Sequence, residues 1–162
     1  MLRVSFRAPD QSLHELRAWL TRRMVSKVWP TILHSLQTQV TLDQPAAAHA
    51  RLEIVSMAHQ ASVSDMAAAG KFDAPYETAI DQFPLGETPI VVTQAQFNMV
   101  RNEPLRINFL PESGEGFEIA FQPSLLHGFC KLLQSVVELA EWDIELIMPG
   151  ASAAPAAGHL LN

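Results

Sequence analysis

Leu2-Arg3-Val4-Ser5-Phe6, at one end of the chain, and Leu105-Arg106-Ile107-Asn108-Phe109, towards the other, carry the same alternation of apolar and polar residues. A second alternating run follows each, Leu16-Arg17-Ala18-Trp19-Leu20 in the first and Phe117-Glu118-Ile119-Ala120-Phe121 in the second, and an apolar helical stripe follows that. The intervening turn is two residues shorter in the second copy, a change that a surface hairpin tolerates. A strand pair with one apolar face must bury it against another layer, so a repeated ββα unit confines the chain to an α+β architecture. The predicted fold is therefore an antiparallel sheet from two duplicated ββα units with about three helices. The units pack about a pseudo-twofold axis as a fused dimer would, their strands in one sheet or in two facing sheets.

In the first unit, residues 2–40, the period-2 alternation marks a hairpin, and Ala8-Pro9-Asp10-Gln11-Ser12 reverses the chain. Thr21 is placed to cap a helix starting at Arg22. Met24, Val25, Val28, Trp29, Ile32, Leu33 and Leu36 share one face of that helix. Pro30 falls among them, so a kink or a restart is expected there.

The second unit, residues 89–148, begins with a strand over 89–100 whose Val91, Ala95, Phe97 and Met99 share a face, and continues through strands at 105–110 and 117–121. Pro123 suits the first turn of a helix, with Leu125, Leu126, Phe129, Cys130, Leu132, Leu133, Val136 and Val137 as its stripe. Residues 142–148 alternate like a closing strand. Between the units an alanine-rich linking helix is predicted over 44–70, ending at Gly70, and then a proline-broken connection with one short helical turn near Tyr76 to Ile80. Residues 1–148 are expected to form a single domain, as the 162-residue length supports, and 149–162 a mobile tail.

A net charge of −6 hides a basic start, where Arg3, Arg7, Arg17, Arg22, Arg23 and Lys27 outnumber Asp10 and Glu15. An acidic whole argues against nucleic acid as a partner. No run approaches the roughly 20 apolar residues of a membrane helix, and no secretory signal opens the sequence, so no membrane partner is expected. The single Cys130 excludes an internal disulfide and fits a cytoplasmic location.

His127 and Cys130 stand at i and i+3, but zinc needs three or four ligands and no second cysteine exists. Cys130 is read as a small core residue, and neither a metal nor a cofactor is expected. His49 and His59, ten positions apart on the linking helix, are too distant for one ion and are read as capping or solvent-facing. Arg22 and Arg23 occupy a first helical turn, where the helix dipole disfavours positive charge, which points to carboxylate partners or an anionic ligand. With Lys27 and His127 they form the candidate anion site. Arg3, Arg7, Arg17 and Trp19 share the wet face of the first hairpin, and tryptophan with arginine is the pair enriched in binding hot spots. They form the candidate partner-binding face, unless another element covers it.

Phosphate loops, dinucleotide-binding glycine turns, serine elbows and His-Glu-x-x-His helices are absent from the sequence. No catalytic residue is assigned. The chain is expected to be a non-enzymatic protein-binding or adaptor protein, or a homodimerising module. The alternative is a small-molecule or anion-binding protein, with enzymatic activity open, whose pocket lies at the seam between the two repeats.

Overall fold

The computed structural model describes residues 1–150 and shows an α+β fold, two three-stranded sheets with three α-helices. Strand β1 (Leu2–Arg7) pairs antiparallel with β2 (Leu13–Trp19), from Leu2 opposite Ala18 to Arg7 opposite Leu13. Asp10 fixes the turn by accepting from the Ser12 amide at 3.0 Å, and Gln11 takes up the left-handed conformation. Helix α1 (Arg22–Asp43) follows, its first turn capped by the Thr21 hydroxyl, which accepts from the Met24 amide at 3.2 Å. Six of the seven stripe residues are buried, and Leu33 packs half-buried against the same core.

Pro30 does not interrupt α1. The carbonyl it deprives of a donor belongs to Ser26, and both residues lie on the exposed side of the helix, open to solvent. The linking helix is divided instead. Pro45 opens a 3-10 turn (Pro45–Ala50) before α2 (Arg51–Ala68) begins. Gly70, at φ +64°, ends α2, with its amide bonded to the Ala67 carbonyl and that of Lys71 to the Met66 carbonyl.

Residues 71–89 form no helical turn. They run as a strap along β2: the amides of Asp81 and Gln82 donate to the Leu13 carbonyl, and the Glu15 amide donates to the Gln82 carbonyl. The strap ends in β3 (Ile90–Val91), which pairs parallel with β2. The predicted strand over 89–100 is thereby split between two sheets. The Val92 amide donates to the Trp19 carbonyl of the first sheet and the Thr93 amide to the Leu110 carbonyl of the second, so Val91 is left exposed rather than on the core face.

Strand β4 (Gln94–Asn98) pairs with β5 (Leu105–Leu110), and β5 with β6 (Phe117–Phe121), all antiparallel. Helix α3 (Pro123–Leu139) starts with its proline in the first turn, as the sequence predicts. Both β1-β2-α1 and β5-β6-α3 thus run hairpin then helix, the layout a duplicated unit requires. Trp29 and Cys130, which stand at matching positions when the two hairpin-and-helix sequences are aligned, are both core residues. The third strand differs: β3 joins the second strand of its hairpin, β4 the first strand of its own.

Residues 142–148 are not a strand. Trp142, Ile144 and Leu146 do turn one side to the core and Met148 is buried, but left-handed Glu141 and Asp143 bend the segment away from any strand partner. The Gln134 amide group holds it by donating to the Leu146 carbonyl at 2.6 Å. Of the expected tail, residues 151–162 lie outside the described residues.

Candidate functional site

The arginine face of the first hairpin is occupied by the chain itself. Glu15, at the centre of that face, is wholly buried, and the guanidinium Nε atoms of Arg17 and Arg3 converge on its Oε1, that of Arg3 at 3.5 Å. A buried carboxylate is tolerable only when paired, and the two cationic side chains supply the pairing. The strap closes over them. The Arg3 guanidinium lies 4.0 Å from the Tyr76 ring centroid and that of Arg17 4.3 Å from Phe83, while Arg17 also donates to the Glu87 carbonyl at 3.1 Å. Arg7 forms a solvent-exposed pair with Glu77 at 3.4 Å. Arg3, Arg7 and Arg17 are therefore engaged within the chain itself, Arg17 half-buried and Arg3 and Arg7 still exposed. Their partners are Glu15 and residues 76–87.

Trp19 stands apart from that arrangement, 48% exposed at the end of β2. The chain places α3 across a groove from it. Leu125, Leu132, Val136 and Leu139, at spacings of seven, four and three, form a single exposed stripe on α3 beside its core face. A cavity of about 460 Å³ lies between Trp19, Met1 and Leu2 on one side and Leu132, Val136 and Trp142 on the other. A second, of about 770 Å³, shares Leu2, Arg3, Phe129 and Leu132 with the first, and extends between β1, β6 and the C-terminal half of α2. Each of the two strands bordering it has a free edge, β1 pairing only with β2 and β6 only with β5. Apolar side chains, unpaired strand edges and an exposed tryptophan thus meet in one place.

The predicted anion site is not assembled around these cavities. None of the three cavities described among these residues is lined by Arg22, Arg23, Lys27 or His127. Arg22, Arg23 and Lys27 stand exposed on the first turns of α1, and Arg22 donates to the backbone carbonyl of Asp143 at 3.2 Å rather than to a carboxylate. His127 is buried on α3, its ring edge-on to His59 of α2, and burial chiefly, with His59 second, holds it down to about 4. His59 is correspondingly not the solvent-facing residue expected from its helix. Cys130 is fully buried, and burial pushes its thiol up to about 12, leaving no thiolate for a nucleophile or a metal. No group of three or more histidine, cysteine or carboxylate side chains that could hold a metal ion stands together among the described residues.

Three features escape sequence reasoning. Glu15 shares the wet face of its strand with the arginines, and nothing local shows that a distant irregular segment covers it. The exposed stripe on α3 is merged with the core face in a one-dimensional pattern, because its residues and the buried ones form one continuous apolar arc. The meeting of His59 and His127 depends on how α2 packs on α3. No protein-family model matches the chain, and no curated protein or solved structure matches it.

Proposed function

We propose that this chain is a non-enzymatic protein-binding module that associates through the groove between Trp19 and α3, with self-association into a homodimer as its simplest form. One observation carries this: the exposed large apolar residues of α3 fall on one stripe, and two of them, Leu132 and Val136, line a cavity together with Trp19, whereas solvent-exposed hydrophobics that have no task are scattered singly. The tryptophan supplies the aromatic anchor around which binding energy concentrates, and the free edge of β1 offers backbone groups to an extended partner. Residence in the cytoplasm fits a lone, buried thiol. No helix among the described residues is long and apolar enough to cross a membrane.

Light scattering of the purified chain over a range of concentrations tests this reading. A mass that rises to that of a dimer, and returns to the monomer in Trp19→Ala and Leu132→Asp, supports it. A wild-type chain that stays monomeric with the same mass as both variants removes self-association. A second reading, binding of a small apolar molecule, is favoured by the larger cavity, whose walls come from both repeats and whose size lies in the range of ligand pockets. Thermal stabilisation by amphiphilic carboxylates, lost in Leu132→Asp, would select it, with Arg3 and Lys71 at the rim as the groups that meet the carboxylate.

A further inference from the structure

His59 on α2 and His127 on α3 meet with ring centroids 5.5 Å apart and planes inclined by 65°. Both are enclosed, 9% and 4% exposed, and the Nδ1 atom of each is buried without a hydrogen-bond partner. An unpartnered buried polar atom costs about 1–3 kcal/mol, and two such atoms at one helix-helix joint make it weaker than a leucine pair would. The helices are close at this joint, since a Cβ on Gly128 would meet the Met66 thioether at 2.5 Å.

Two imidazoles are too few for a structural zinc ion, and the thiol of Cys130 is held protonated by burial. The ligand that needs nothing more than one free imidazole nitrogen is a proton. We propose that the His59–His127 pair is an acid-sensitive latch, in which protonation of either ring releases α2 from α3. The charges that act on the pair are that of Lys131 on α3, which bears on His59, and that of His59, which bears on His127, both of one sign. Asp43 of α1, Glu53 and Asp65 of α2, Glu118 of β6 and Glu138 of α3 contribute nothing to either ring, and Glu118 is engaged with Arg106. An imidazolium formed in the joint therefore finds no counter-ion.

Burial, then Lys131, holds His59 below its usual range, and burial, then His59, holds His127 at about 4, against an ordinary value of 6.5. The neutral rings favour the closed joint, so its stability is complete above the ordinary value and drains away as the pH falls towards that of the buried ring. For His127 alone the span corresponds to roughly a 10²-fold shift towards the open form. Ser62, Asp65 and Met66 of α2, with Ala69 at its C-terminal cap, wall the larger cavity, so release of α2 widens it. The latch rests on the joint alone and holds whether or not the groove docks a partner.

Amide hydrogen exchange on the full chain at about pH 7.5 and about pH 4.5, corrected for the intrinsic pH dependence of exchange, tests the latch. Amides of residues 51–68 should lose protection by roughly 10–10²-fold more than those of β5, and the double variant His59→Leu/His127→Leu should keep α2 protected at both values. Equal protection of α2 at both pH values, or the same acid loss in the double variant, overturns it. Should that variant fail to fold by circular dichroism, an NMR titration of the wild-type imidazoles decides. Rings that titrate below the ordinary range together with shifts in α2 amides support the latch; rings that titrate at the ordinary value, or without α2 responding, overturn it.

Discussion

Arg3 reaches diagonally across neighbouring strands to Glu15 at 3.5 Å, and Glu15 is the one wholly enclosed carboxylate among the described residues. Arg17, on the same strand as Glu15, makes the closer pair and is itself only 22% exposed, against 36% for Arg3. The two arginines are therefore unequal. Arg17→Ala should lower stability by about 3–5 kcal/mol, because it strips a buried charge of its main partner. Arg3→Ala, at a half-solvated position, should lower it by about 1 kcal/mol. Urea unfolding measures both, and equal losses would show that the carboxylate is not buried in the way described. Since removing both charges is often neutral, Glu15→Leu combined with Arg17→Met should unfold near the wild-type midpoint.

That ionic arrangement also marks the limit of what the amino-acid order discloses. Helices α1 and α3 and both hairpins are legible because their causes are local: alternation in Leu2 to Arg7, a hydroxyl at Thr21, a proline at position 123, a stripe from Met24 to Leu36. Residues 142–148 mislead for the same reason. Their alternation reflects one side packed on the core, a condition that a strand shares with any extended segment, and only the left-handed Glu141 and Asp143 distinguish them. The covering of Glu15 by Tyr76 and Phe83 and the approach of His59 to His127 are set by long-range packing, which no periodicity records.

Two substitutions on α1 should act in opposite directions. Thr21→Ala removes the acceptor for the Met24 amide and should destabilise by about 1 kcal/mol. Pro30→Ala restores a donor to the exposed Ser26 carbonyl in a helix that is already continuous through this position, and should stabilise by about 1–3 kcal/mol. Thermal unfolding followed by circular dichroism reads both signs. A destabilising Pro30→Ala would mean that the proline fixes a bend on which the packing of α1 depends.

Gly128 lies in α3 where the helix passes the Met66 side chain, and a methyl group there would stand 2.5 Å from the sulfur and 3.0 Å from the terminal carbon. Alanine favours the helix by about 1 kcal/mol over glycine, and the Met66 thioether, the far end of a flexible side chain, can swing aside at a cost of about 1 kcal/mol, so Gly128→Ala should be near neutral. In a Met66→Ala background the clash disappears and the same change should become stabilising. A double-mutant cycle by urea denaturation measures the difference, and additive effects would place the two side chains out of reach of each other.

Cys130 offers a chemical reading of the same core. It is buried within the apolar core, and burial pushes the thiol up to about 12, so neither access nor thiolate is available in the folded chain. Alkylation by iodoacetamide at neutral pH should therefore be negligible in the native protein and complete in denaturant, with a midpoint that coincides with global unfolding by circular dichroism. Release of α2 alone should leave the thiol protected, since Cys130 belongs to an apolar core to which α2 contributes only Val55 among the buried residues, whereas His127 and Gly128 meet His59 and Met66 of α2. Labelling that precedes unfolding would show that α3 itself detaches, and it would move the weakest joint of the fold from α2–α3 to the seam between α3 and the strands.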